Sequence, residues 1–183
     1  MQEDAPMKVL VRSFRKLMSP CHTESGISAV EVGATMLVFL IALFSVAEFG
    51  WFFVHQNTLT AATREGIRIG TIGSTLTDGG GNPLSREDSI KQAIHDSAAN
   101  VMDIDPSQIF IFPVDADFTD PDDPAVVGTA SAGGAGAFMR VRVQFTHQFF
   151  TQLIGGLFGG GSSILMSSEG TYRNENFILG GGS

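Results

Sequence analysis

GISAVEVGATMLVFLIALFSVAEFGWFFVHQNTLTAATREGIRIGTIG, residues 26–73, is the stretch whose reading decides the fold of this chain. No residue from Val32 to Ala47 is charged, and beyond Glu48 the apolar character resumes through Phe49–Val54. As a helix, Val32–Val54 would be about 34 Å long at ~1.5 Å per residue, enough to cross the hydrocarbon core of a bilayer. Trp51, Phe52 and Phe53 stand where an interfacial aromatic belt belongs. No proline interrupts the stretch, so the helix is expected to continue outward through His55–Gly73. There Thr58, Ala62, Gly66 and Gly70 recur every four residues, a narrow strip of small residues that lets another backbone approach closely. Each glycine inside a helix costs ~1 kcal/mol against alanine, so packing should compensate at Gly66 and Gly70.

Two glutamates interrupt the apolar run. Glu48 is near its outer end, where a carboxylate is expected to reach headgroups or water. Glu31 is near the inner end, where a buried carboxylate would cost up to about 2.5–3.5 kcal/mol if it sat at the membrane centre, and less near an interface. Gly26, four further residues and then Glu31, directly ahead of an apolar helix, resemble the processing site of type IV prepilins. That resemblance implies a prepilin peptidase cutting after Gly26 and leaving Ile27 as a charged N-terminus. Glu31 would then neutralise that ammonium, or the one on a neighbouring subunit, in a medium of low dielectric.

The net charge of −8 is unevenly spread. Residues 1–26 carry Lys8, Arg12, Arg15 and Lys16 against Glu3, Asp4 and Glu24; everything after them is strongly acidic. The four cations beside the apolar span hold that end in the cytoplasm and send the rest of the chain outward. An acidic domain is a poor nucleic-acid binder, because phosphate contacts need clustered Lys and Arg. Val9, Leu10, Phe14 and Leu17 in the leader recur at roughly helical spacing, so Met7–Met18 reads either as a membrane-surface helix or as an irregular basic leader. The one cysteine, Cys21, lies in the leader too, which excludes a disulfide framework and any Cys-based metal site. A rival reading is a secretory signal, with Ser45-Val46-Ala47 as its small-x-small cleavage site and Glu48 as the new N-terminus.

Val30-Glu31, then Glu48-Phe49-Gly50, then Ala61-Ala62-Thr63-Arg64-Glu65-Gly66-Ile67-Arg68 resemble, in order and spacing, the TadE-like family of minor pilins of the tight-adherence (Tad/Flp) pilus system. The likeness covers roughly residues 26–70. Val32 stands where an aromatic is usual, Trp51 where an Arg is usual, and Thr63 and Ile67 where small residues are usual. The resemblance implies a pilin or pseudopilin in the cytoplasmic membrane, with its head in the periplasm. Its implied partners are other pilins, the pilus assembly platform, the prepilin peptidase and membrane lipid.

Downstream, Ser74–Pro83 with Gly79, Gly80 and Gly81 reads as a turn. A second helix is expected from Ser85, with Asp88 completing an imperfect capping box and Ile90, Ala93, Ile94, Ser97/Ala98 and Val101 on one face. Gln108–Val114 reads as a strand confined to an edge by Pro113. Phe138–Phe149 alternates, with Met139, Val141, Val143 and Phe145 inward, and a last strand is expected near Ile164–Arg173. The fold class is therefore α+β and pilin-like: a long N-terminal transmembrane helix continuing into a small head of one further helix and about three antiparallel strands. The expected organisation is a leader at 1–26, a membrane helix at 27–54 and a head with helical stalk at 55–183.

Asp115, Asp117, Asp120, Asp122 and Asp123 are weak candidates for holding Ca²⁺, since their spacing lacks the glycine and terminal glutamate of an EF-hand loop; a mobile, solvated acidic loop is the plainer reading. His55, His95 and His147 fit no zinc spacing. Gly155–Ser163 lacks the lysine of a phosphate loop, and Leu153, Ile154, Leu157 and Phe158 suggest instead an apolar flap that packs on the head, touches lipid or meets a partner. With no nucleophile elbow or other catalytic constellation, no enzymatic activity and no cofactor are expected.

Overall fold

With no proline between Pro20 and Pro83, nothing in the backbone chemistry stops a helix across the apolar run. Helix α1 accordingly extends unbroken from Glu24 to Ile72. The computed structural model describes residues 24–157 and 161–176. The basic leader with Cys21, Phe158 of the flap and the Gly-Gly-Gly-Ser tail lie outside the described residues. Two compact units divide the chain at Phe44/Ser45.

In the first unit the described chain is α1 alone. Met36, Leu37, Val38 and Phe39, four successive residues that together circle the helix, are all exposed. By length and composition this helix could cross a membrane.

The second unit is the α+β head. α1 ends at Gly73, whose positive φ of 72° suits glycine and lets its N–H donate back to the carbonyls of Ile69 and Gly70. A turn closed by Asp78, whose carboxylate accepts from the N–H groups of Gly80 and Asn82, leads into helix α2, Arg86–Ala98. Ser85 caps α2 as its spacing predicts, its hydroxyl accepting from the Asp88 N–H. Ile90, Ala93, Ile94 and Ala98 are buried, while Ser97 is exposed.

A 3-10 turn at Pro106–Gln108 then delivers strand β1, Ile109–Pro113. Strand β2 is Phe138–Gln148 and β3 is Ser163–Arg173. They form one antiparallel sheet in the order β1-β2-β3, so Pro113 does lie on an edge strand, where its missing N–H does little harm. Ile109, Ile111, Met139, Val141 and Val143 line the inner face and bury against α1 and α2, the alternation of β2 being that of its sequence.

α1 lies along the inner face of the sheet. Near its C-terminal end Gly170 on β3 meets Ile67, and Tyr172 covers Gly70. At the other end of the sheet His147 meets His55. The six strand steps from Val141 (the partner of Gly170) to His147 and the twelve helix steps from Ile67 to His55 both span about 18–20 Å at their respective rises. Helix and sheet therefore run side by side without slippage.

Asp115–Gly136 is not a free loop. It holds a short helix, α3 (Pro124–Gly128), beside β1, and the Ser131 N–H donates to the Ile111 carbonyl at 2.9 Å. Phe112, on the outer face of the sheet, is fully buried, with the Arg142 guanidinium over its ring. A last short helix, α4 (Gln152–Leu157), lies in the β2–β3 connection.

Candidate functional site

Three groups of residues carry the candidate chemistry, and each is set by the face of an element. The first is the start of α1. Gly26, Ile27 and Glu31 all lie within the helix, and nothing stands within 4 Å of where a Gly26 side chain would begin. Ile27 and Glu31 are one i, i+4 pair, so the carboxylate lies above the Ile27 backbone on the same face. Glu31 is exposed among exposed apolar neighbours.

The second group is the face that α1 turns to its own head. Its residues are Glu48, Phe52, His55, Leu59, Ala62, Gly66 and Ile69, spaced alternately four and three apart, the period that keeps one stripe facing a packed partner. Ala62 is fully buried. A side chain at Gly66 would begin 2.5 Å from Ile94 Cγ1, and one at Gly70 would begin 2.5 Å from the Tyr172 hydroxyl. Thus Gly66 admits α2, and Gly70 admits β3. The strictly four-residue strip read from the sequence drifts across this face, and its first member, Thr58, is only half-buried.

At the lower end of the stripe is a polar cluster for which the sequence reading made no place. Glu48 is 3 % exposed, and its carboxylate accepts the Phe150 N–H at 2.7 Å. It reaches neither headgroups nor water, contrary to expectation, because the first residues after β2 fold back onto it. Beside it His55 Nδ1 and His147 Nδ1 are 2.8 Å apart. One imidazole must donate and the other accept, so the pair can share one proton across that contact but not hold two. Phe52, Phe145 and Phe149 present ring edges around the two imidazoles. Burial holds His147 below its ordinary pKa, opposed by the nearby Glu48 charge. Two sequence signals mark this cluster: the seven-residue spacing of Glu48 and His55 puts them on one helix face, and the alternation of β2 continues inward past Phe145 to His147.

The third group is the acidic loop. Asp115 accepts the N–H groups of Asp117 and Thr119, which hold its carboxyl below the usual range. Asp120 bridges Arg140 and Arg142 of β2, and those guanidinium groups lower its pKa likewise. Asp123 caps α3 through the Ala125 N–H. These three carboxylates thus face separate protein partners, and among the described residues no three His, Cys, Asp or Glu side chains converge as a metal site would require.

Residues 26–68 match the family model described as TadE-like protein. Over this segment the chain is similar to the TadE-like family. The match takes in both the Gly26–Glu31 start and the stripe from Glu48 to Gly66, and stops short of the sheet. That likeness implies a protein associated with the Tad pilus, in a family of generally non-enzymatic pilus components. No curated protein and no solved structure matches the chain.

Proposed function

We propose that this TadE-like chain is a minor pilin or pseudopilin of Tad pilus assembly, contributing to adhesion and secretion by packing its membrane helix among those of other pilins. In this reading residues 27–54 cross the cytoplasmic membrane, the leader 1–26 faces the cytoplasm, and the head lies outside. A prepilin peptidase removes the leader after Gly26. The new Ile27 ammonium is then matched by Glu31, in its own helix or across a helix pair, so that neither charge is left unpaired in lipid. The observation that carries the reading is the register of the family match with the helix: its first residues coincide with Gly26 and Glu31, directly ahead of an exposed, uncharged and strongly hydrophobic segment.

Substituting Glu31→Ala tests the pairing. The variant is expected to insert in membranes as the parent does, because a carboxylate has been removed from an apolar helix, yet to lose co-purification with partner pilins. Undiminished co-purification would remove Glu31 from the assembly mechanism.

A further inference from the structure

The head does not stop where the apolar run of α1 stops. Glu48 takes the Phe150 N–H, and Trp51 lies against Phe150 with ring centroids 6.4 Å apart. The lower edge of the head is thereby fixed at the level of Glu48–Trp51, while the apolar run continues upward to Val54. Val54 is six positions beyond Glu48, so head and apolar run overlap by about 9 Å along α1.

What the head presents at that level is apolar. Phe150 is 75 % exposed, and Trp51, the α1 residue it lies against, is exposed as well. The sequence from Phe149 to Ser168 contains no charged residue, in a head that is otherwise strongly acidic. A solvated connection would have little reason to exclude charge throughout residues 149–162, nor to hold a phenylalanine outward at its first turn.

We propose that the β2–β3 connection at residues 149–157 is a second membrane contact, seated in the boundary between headgroups and acyl chains of the bilayer that α1 crosses, with Phe150 inserted. Lipid is the occupant because the patch is continuous, through Trp51, with the exposed apolar run of the helix at the same depth, where ring side chains favour the interface. Glu48 supplies the anchor: a carboxylate inside the apolar run is tolerated because it is buried on the head side, and the amide it holds sets the depth of the connection. The consequence is a head that is tethered at two points, and so is hindered from tilting about the helix.

The inference rests on α1 being the membrane span, and the experiment separates the two. In the full chain with Cys21→Ser, an environment-sensitive fluorophore is attached at Phe150→Cys, at Val46→Cys within the run, or at Asp96→Cys on the exposed side of α2. Each protein is reconstituted in phosphatidylcholine–phosphatidylglycerol vesicles and challenged with nitroxide-bearing phospholipids and with aqueous iodide. The Phe150 label is expected to emit to the blue, to be quenched by nitroxides high on the acyl chain, and to resist iodide. The Asp96 label should do the reverse. If the Phe150 label yields to iodide and not to lipid nitroxides while the Val46 label is lipid-quenched, the span stands and the second contact is overturned. Shielding of the Phe150 label from both quenchers would overturn it in favour of a protein covering the patch. Failure of the Val46 label to be lipid-quenched would overturn the span itself and the inference with it.

Discussion

Glu48 shows how far one side chain's role depends on what folds onto it. Near the end of an apolar run a carboxylate reads as something reaching for water, yet here it is buried and holds a backbone N–H. Hydrogen bonds to a charged group are worth about 1.5–3 kcal/mol, so Glu48→Ala is expected to destabilise the head by about that amount. Chemical denaturation of the detergent-solubilised chain measures it, and Glu48→Gln, which keeps an acceptor, should lose clearly less. His147 adds a pH dependence whose sign follows from burial. Its pKa is depressed in the folded head, so the unfolded chain binds the proton first. Stability from this group is therefore full above the ordinary histidine pKa of about 6.5 and falls as pH drops through and below it. A thermal melt at pH 5 should lie below one at pH 7, and His147→Leu should narrow the gap. No change in melting between those two pH values would contradict the buried pair. The inward position of His147 is legible in the sequence once the strand alternation is followed to its end. Its partner His55 is ninety-two residues away, and nothing local connects the two.

Elements were the most legible scale where one physical period governs them. α2 begins at the Ser85 cap, and β3 falls within a residue of its expected start, because capping and alternation are local. Ser85→Ala should accordingly cost about 1 kcal/mol, read from the same denaturation curve. The stripe on α1 was only partly legible: small residues announce close packing, but which element closes on them is a tertiary fact. Gly66 and Gly70 turn out to serve the fold of the head itself, against Ile94 and Tyr172. Gly66→Val is expected to destabilise the head by about 1–3 kcal/mol through overpacking against Ile94, although valine is the better helix former. An unchanged midpoint would mean that α2 does not pack here. The acidic loop was the least legible element. Its order comes from Asp120 meeting Arg140 and Arg142 twenty and twenty-two residues on, a pairing with no sequence period.

For the whole molecule, the division is between an apolar helical segment long enough to cross a membrane and an α+β head. α1 belongs to both, since the residues from Glu48 to Gly66 that match the TadE-like family also form the surface on which the sheet and α2 assemble. The matched segment thus holds two features along one helix, the Gly26–Glu31 start and a stripe that packs the head. The fold class, the number of strands and the apolar span all follow from hydropathy and period; orientation and processing depend on what the cell does to residues 1–26. Intact-mass measurement of the purified protein, from a host with a prepilin peptidase and from one without, addresses this most directly. The account predicts a chain beginning at Ile27 in the first host and the uncleaved chain in the second. The same uncleaved mass from both hosts, or a chain beginning at Glu48, would contradict it.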